Sequence, residues 1–148
     1  MKDTLKLKGR VNLKLIGPDG AVKDERDVDN LVVTAGLNHI ASRIKDATAT
    51  AMTHYAVGSG STAAAAGDTD LGSILGSRVS LTSTTVTNNE VAYVADFGAG
   101  VSTGAITEAG VFNASTSGTM MARVVFSTIN KAAADTLQIT HTITISAS

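Results

Sequence analysis

Residues 5–15 alternate strictly between two kinds of side chain, and this pattern constrains the fold more than any other feature. The apolar row holds Leu5, Leu7, Val11, Leu13 and Leu15, and the polar row holds Lys6, Lys8, Arg10, Asn12 and Lys14. Gly9 interrupts the apolar row. Because successive side chains of a strand point to opposite faces, the pattern predicts a strand with one buried face and one basic face.

A turn and an acidic segment follow this strand. Pro18-Asp19-Gly20 predicts a turn, since Pro presets φ and Gly tolerates positive φ. Residues 24–29 then carry four anions and one cation. We expect this segment to return as the second arm of a hairpin, with its carboxylates across from the basic face.

Charge is concentrated in these first thirty residues. Residues 1–14 carry five cations and one anion, and residues 15–30 carry two cations and five anions. The remaining 118 residues hold twelve charges. A surface so poor in charge is unusual for a free monomer and favours one that is covered by protein neighbours. The net charge of −1 gives no overall attraction to nucleic acid or to a membrane surface.

One helix is predicted, from Ala35 to about Ala47, with Thr34 as its N-cap. Its apolar stripe would consist of Leu37, Ile40, Ala41 and Ile44, at helical spacing.

The rest of the chain predicts strands separated by Gly, Asn and Ser clusters. The predicted strands are Met52–Val57, Arg78–Thr87, Val91–Phe97, Ala105–Phe112, Thr119–Thr128 and Thr136–Ser146. Residues 68–75 predict a short turn or helical piece. We therefore expect a mainly β fold, an antiparallel β-sandwich or jelly-roll-like domain with one short helix. It would form a single domain over residues 1–148, with residues 1–16 as a basic N-terminal strand or arm.

The residues that usually carry chemistry are sparse. The absence of Cys excludes disulfides, thiolate zinc sites and Cys nucleophiles. His39, His54 and His141 lack the short spacings of metal ligands, and His141 shares the parity of the buried face in the last strand. We expect it to be a neutral, hydrogen-bonded core imidazole. No cofactor or metal is predicted.

Two further motifs favour structural interpretations. Gly58-Ser59-Gly60 lacks the Lys of a phosphate-binding loop and is interpreted as a flexible connection. Glu108 is an isolated anion in an apolar strand, and it is expected at an exposed edge or paired with Arg123 across neighbouring strands. No Ser-His-acid set is identifiable, and carboxylate pairs that meet only in the fold stay open. We predict that the chain is not an enzyme.

The order of several segments resembles small virion proteins of tailed bacteriophages, which are head-decoration (cement) proteins or components of tail fibres and tail tips. The segments that carry the resemblance are Asn30–Leu37, His54–Gly60, Asp68–Leu71, Ile106–Phe112 and Met120–Phe126, within residues 30–146. The resemblance implies a capsid decoration protein on the virion surface, assembled in the host cytoplasm. It also implies a homo-oligomer, with a trimer favoured, that bridges subunits of the major capsid protein. The alternatives are a tail-fibre or baseplate module that contacts the host surface, and a small hydrolase or carbohydrate-binding module.

The basic face of the first strand is the candidate contact surface. It consists of Lys2, Lys6, Lys8, Arg10 and Lys14. These cations suit docking on an acidic protein surface; contact with phosphates and a simple solvated face are the alternatives. Without aromatic stacking partners they form a poor nucleic-acid platform. No apolar run reaches the ~20 residues that span a bilayer, so no membrane partner is expected.

Overall fold

The computed structural model describes residues 3–46 and 49–147. They form nine strands and one helix. In chain order these are β1 Leu5–Ile16, β2 Val22–Val32, α1 Thr34–Asp46, β3 His54–Gly58, β4 Val79–Ser80, β5 Ser83–Thr87, β6 Glu90–Phe97, β7 Gly104–Phe112, β8 Met120–Lys131 and β9 Thr136–Ala147.

The strands form one antiparallel sheet in the order β4-β3-β7-β8-β2-β1-β9-β6-β5. The sheet curls so that β5-β6-β9-β1-β2 faces β4-β3-β7-β8. Strand β2 connects the two layers, because its last residues pair with β8 (Leu31 with Arg123, Val32 with Ala122). The predicted mainly β, sandwich-like fold with one short helix is confirmed.

The two layers are also linked at the far side of the sandwich. Here the chain passes from β4 to β5 through two residues, Leu81 and Thr82. The Leu81 amide donates to the Thr53 carbonyl (2.8 Å), and the Thr82 amide donates to the Val94 carbonyl (2.7 Å). The single strand predicted over residues 78–87 is therefore two short strands, because the chain crosses from one layer to the other between them.

The core lies between the two layers. Alternate residues of β1 and β9 are buried, as the period of two predicts: Val11, Leu13, Leu15, Leu137, Ile139 and Ile143. Leu5, at the start of β1, is an exception and is 66% exposed. Gly9 interrupts the apolar row because the Asn30 side chain occupies that place; a Cβ at Gly9 would lie 1.5 Å from Asn30 Oδ1.

Helix α1 has the predicted position, although its predicted last residue, Ala47, lies outside the described residues. Of the predicted apolar stripe, only Ile40 packs against the core. Leu37 and Ile44 are 44% and 75% exposed, whereas Gly36 and His39 are buried. The close approach of the helix to β8 sets its orientation, since a Cβ at Gly36 would lie only 2.2 Å from the Met121 carbonyl oxygen.

A long connection, residues 59–78, covers the outer surface of the β3-β7-β8 layer. A second apolar cluster is buried beneath it, formed by Val33, Ala56, Leu71, Phe112 and Met120. Residues 108–112 of β7 are consequently buried on both faces. The turn or helical piece predicted at residues 68–75 is wrong: these residues contain bends and an isolated bridge at Ile74, and the turn of the connection precedes them, at residues 66–67.

Candidate functional site

The hairpin of β1 and β2 places the predicted charges opposite one another. Arg10 Nη2 lies 3.3 Å from Asp27 Oδ2, and Lys14 Nζ lies 4.0 Å from Glu25 Oε1. Asn12 Nδ2 donates to both carboxylates, at 3.2 Å. The expectation that the acidic segment lies across from the basic face is confirmed.

Strand β1 lies between β2 and β9, paired with β9 along its whole length. Residues 5–16 are thus an ordinary central strand, and the alternative of an extended arm is wrong for them. Lys6 and Lys8 are exposed and, within the described residues, have no carboxylate partner. Lys2 lies outside the described residues. The structure therefore leaves Lys6 and Lys8 as the available cations of the predicted contact surface, because Arg10 and Lys14 are compensated within the hairpin.

A shallow polar trough runs across this face of the sheet. Its volume is about 390 Å³ and it is lined by Lys8, Arg10, Asn12, Asp27, Glu90, Thr140, Thr142 and Thr144. Thr144 Oγ1 donates to Glu90 Oε1 at 3.3 Å. The lining offers hydroxyls and both signs of charge but no aromatic ring, so it suits a polar protein surface better than the stacked face of a sugar.

The most elaborate polar cluster is centred on Glu108, which is fully buried. Its carboxylate accepts hydrogen bonds from the backbone amides of Gly60 (2.8 Å), Gly72 (2.9 Å) and Ser73 (2.8 Å). Oε2 also lies 3.0 Å from Arg123 Nε and 2.9 Å from Arg123 Nη2. The predicted pairing of Glu108 with Arg123 across neighbouring strands is confirmed; the alternative of an exposed edge is wrong.

Arg123 extends this cluster to the covering connection. Its Nη1 lies 2.9 Å from Asp68 Oδ2, and its Nη2 donates to the Thr62 carbonyl at 3.0 Å. The Gly/Ser/Ala-rich segment 58–67 is therefore attached to β7 and β8 through side chains. Its interpretation as a flexible connection missed these anchors.

The pKa values of the two carboxyl groups reflect this arrangement. Burial raises the pKa of Glu108, but the backbone hydrogen bonds and Arg123 together outweigh burial and hold it below the ordinary value. A hydrogen bond from the Ala65 amide, helped by Arg123, lowers the pKa of Asp68. Both groups are anions at neutral pH, and Glu108 is closed to solvent. The cluster is thus suited to a structural role, in which it holds the covering connection against β7 and β8.

A second buried charge cluster lies at the hairpin-turn end of the sandwich. Asp135 is buried and pairs with Lys23, whose Nζ lies 2.8 Å from Oδ2. Lys131 is also buried and donates to the Gly98 carbonyl at 2.8 Å. The hydrogen bond from Lys23 lowers the pKa of Asp135, and burial lowers that of Lys131 against the opposing effect of Asp135. These contacts hold the loops at that end together.

His141 is buried in the core, and its Nδ1 is 2.8 Å from the Tyr55 hydroxyl. Burial lowers its pKa to about 3, so the imidazole is neutral, as predicted. His39 is a buried residue of helix α1, and His54 Nδ1 contacts the Thr53 hydroxyl at 2.8 Å. Among the residues that the structure describes, no three His, Asp or Glu side chains are grouped as metal ligands.

Ser102 is a residue that the sequence interpretation missed. It is the central serine of Gly100-Val101-Ser102-Thr103-Gly104, which has the Gly-x-Ser-x-Gly spacing of a nucleophile elbow. Its φ is +50°, and its buried Oγ has no hydrogen-bond partner among the described residues. The loop, however, connects two strands and not a strand and a helix, and its glycines permit the tight turn from β6 to β7. A Cβ at Gly76 would lie 2.9 Å from that Oγ, so the serine is packed against the covering connection.

No helix in the described residues is long and apolar enough to cross a membrane. No family model, no curated protein and no solved structure matches the chain.

Proposed function

We propose that the chain is a non-enzymatic structural subunit that acts through its surface, serving as a decoration protein on the capsid of a tailed phage. In that role it forms a homo-oligomer and bridges subunits of the major capsid protein. Bridging stabilises the shell by mass action, because bound decoration protein favours the assembled state.

The observation that carries the proposal is the scarcity of exposed charge outside the hairpin. Of the twelve charged residues after residue 30, four are buried: Glu108, Arg123, Lys131 and Asp135. Three more are partly buried: Asp68, Arg78 and Asp96. The five that remain exposed are Arg43, Lys45, Asp46, Asp70 and Glu90. A free soluble domain usually has charged groups on about 25–35% of its surface, so this body suits burial against neighbouring subunits.

The placement of the titratable side chains supports a non-enzymatic role. Glu108 is saturated by hydrogen bonds and enclosed, and His141 is neutral in the core beside Tyr55. A catalytic acid or base needs a position within reach of a substrate. In both cases the surrounding protein occupies the space that a substrate would need.

The choice of a phage capsid rests on the segment resemblance described above, to which the comparisons add no support. The exposed lysines Lys6 and Lys8 provide the attachment to an acidic capsid surface. A tail-fibre or baseplate module uses similar surface properties, and only the location on the particle separates the two roles.

Particle binding tests the proposal. We expect the purified chain to co-sediment with capsids of the phage that encodes it, at a fixed ratio to the capsid protein. The double variant Lys6→Glu/Lys8→Glu should bind at least tenfold more weakly, whereas the control Lys45→Glu, on the exposed face of α1, should bind normally. Detection of the protein on isolated tails, or binding of the purified chain to host cells or glycans, would contradict the capsid role and favour the tail module.

A further inference from the structure

Among the described residues, strands β4, β2 and β5 each have an edge that another strand could join, and these edges differ in how they are protected. Strand β4 is two residues long. Strand β2 pairs with β8 only through Leu31 and Val32, but the rest of it is densely charged, from Lys23 to Asp29. Natural proteins block unwanted pairing with short edge strands and with charged side chains. Strands β4 and β2 are protected in these two ways.

Strand β5 carries none of these protections. Its five residues, Ser83-Thr84-Thr85-Val86-Thr87, include no charge and no Pro, and all are exposed. Its register with β6 is continuous, without a bulge. Within the described residues, β5 is the last strand of the sheet, and its outer edge pairs with no other strand. It is thus an unprotected template for strand addition.

We propose that β5 pairs with β5 of a second copy, antiparallel about a two-fold axis at Thr85, so that the sheets of the two molecules become continuous. A two-fold contact uses the same patch on both partners, which requires the patch to be complementary to itself. In this register Thr85 lies opposite the partner's Thr85, Ser83 opposite the partner's Thr87, and Thr84 opposite the partner's Val86.

The side chains on the outer face favour this register. Thr85 faces the same side as Ala92 and Glu90, its neighbours on β6. The two copies of Thr85 would form a Thr–Thr cross-strand pair, which is favourable. Glu90 of β6 lies opposite Thr87 of β5. In the dimer, the partner's Ser83 would lie on the other side of Thr87, followed by the partner's Val94. No two like charges are therefore brought opposite one another.

The inner face gives a second, independent reason. Val86 is 68% exposed and borders an apolar groove of about 280 Å³ that also involves Ile40, Met52, Val91 and Tyr93. Pairing places the partner's Val86 opposite Thr84, whose other cross-strand neighbour is Tyr93 on β6. An exposed valine on each molecule is thus brought to the groove of the other, which removes apolar surface from water.

The experiment uses the intact chain and measures mass in solution. Sedimentation and light scattering should give a concentration-dependent species of twice the 15.0 kDa chain mass. Thr85→Lys and Thr85→Glu should each be monomeric with an unchanged circular dichroism spectrum, because like charges would meet across the axis. Mixing the two variants should restore a dimer, which a merely unfolded variant cannot do. The control Val22→Lys, at an exposed position of β2, should dimerise like wild type.

Hydrogen exchange on the wild-type chain tests the contact without any variant. The outward amides of β5 should become at least tenfold more protected as the protein concentration rises through the dimer transition. A monomer at every concentration overturns the inference, and so does the trimer that the phage resemblance implies, or a dimer that persists in Thr85→Lys. The inference concerns self-association alone, so capsid binding by a monomer would support the capsid location in the proposed function, but it would refute both this contact and the homo-oligomer.

Discussion

Glu108 on β7 and Arg123 on β8 form a buried ion pair, with Oε2 2.9 Å from Nη2, and this pair anchors the long covering connection. Both side chains are almost fully shielded from solvent. A buried charge is tolerated only when its hydrogen-bonding capacity is filled. Here three backbone amides of the connection supply the remaining donors to Glu108.

Glu108→Gln should destabilise the fold strongly, because it leaves the Arg123 guanidinium without its buried partner. Breaking a buried pair costs roughly 3–5 kcal/mol, and we expect the lower end since Asp68 still contacts Arg123. Denaturant unfolding provides the measurement. The control Glu90→Gln, at an exposed site, should change the free energy of unfolding by less than about 0.5 kcal/mol. Equal changes in the free energy of unfolding for the two substitutions would show that the buried pair contributes no more to stability than an exposed carboxylate does.

Acid should destabilise the protein in two stages. His141 has a pKa of about 3 in the fold, against 6.5 when unfolded, so the unfolded chain takes up a proton first as the pH falls. Its contribution is complete above pH 6.5 and is lost as the pH falls towards 3, with a slope of up to about 1.4 kcal/mol per pH unit. Glu108 also has a lowered pKa, so its contribution is present above the ordinary value of 4.5 and is lost below it.

The double variant Tyr55→Phe/His141→Leu isolates the first of these stages. It removes the imidazole together with the hydroxyl that contacts it, so no buried polar group is left without a partner. Urea unfolding between pH 7 and pH 5 should show a markedly smaller loss of stability in the variant than in wild type. An unchanged slope would assign the acid sensitivity to other groups.

The period-two segments made much of the fold predictable. The alternation in β1 and β9 identified the buried face correctly, and the turn at Pro18-Asp19-Gly20 with the acidic segment behind it gave the hairpin and its charge pairing. These features depend on the alternation of side chains along a strand and on the pairing of strands across a short turn, and both can be read from the spacing of residues in the sequence. The Glu108–Arg123 pair was predictable for a related reason, since an anion in an apolar strand needs a cation nearby.

The features that the sequence did not reveal depend on hydrogen bonds from backbone amides and on the close approach of one element to another. The amides of Gly60 and Gly72 are identical in kind to every other amide, so nothing marked them as ligands of Glu108. The orientation of α1 is set at Gly36, where a missing side chain matters more than the apolar residues around it. The expectation that no Gly-x-Ser-x-Gly motif occurs was wrong, since residues 100–104 have that spacing around Ser102. Only the buried position of this serine depends on packing against the covering connection and could not be predicted.

Arg26→Met should open the corner between the two layers. Backbone pairing of β2 with β8 ends at Leu31, and beyond it Arg26 donates to the Ser127 hydroxyl (2.6 Å) and to the Thr128 carbonyl (3.0 Å). Because hydrogen bonds from a charged donor contribute about 1.5–3 kcal/mol, and this one is partly exposed, we expect a loss of about 1–2 kcal/mol. Increased hydrogen exchange in residues 125–131 should accompany it. The control Arg10→Met removes an exposed arginine from the same hairpin and should be nearly neutral; equal losses in both variants would contradict the bridging role.

Gly36→Ala should destabilise the protein although alanine is the better helix former. Replacing a helix glycine by alanine gains about 1 kcal/mol of intrinsic propensity. At this site the new Cβ would lie 2.2 Å from the Met121 carbonyl oxygen, a backbone atom that cannot move without shifting β8. We therefore expect a net loss of about 1–3 kcal/mol, the usual cost of overpacking, together with faster hydrogen exchange in α1. Gly67→Ala is the matched control, since a Cβ there meets nothing within 4 Å. A stabilised Gly36→Ala variant would show that the contact between α1 and β8 does not set the helix position.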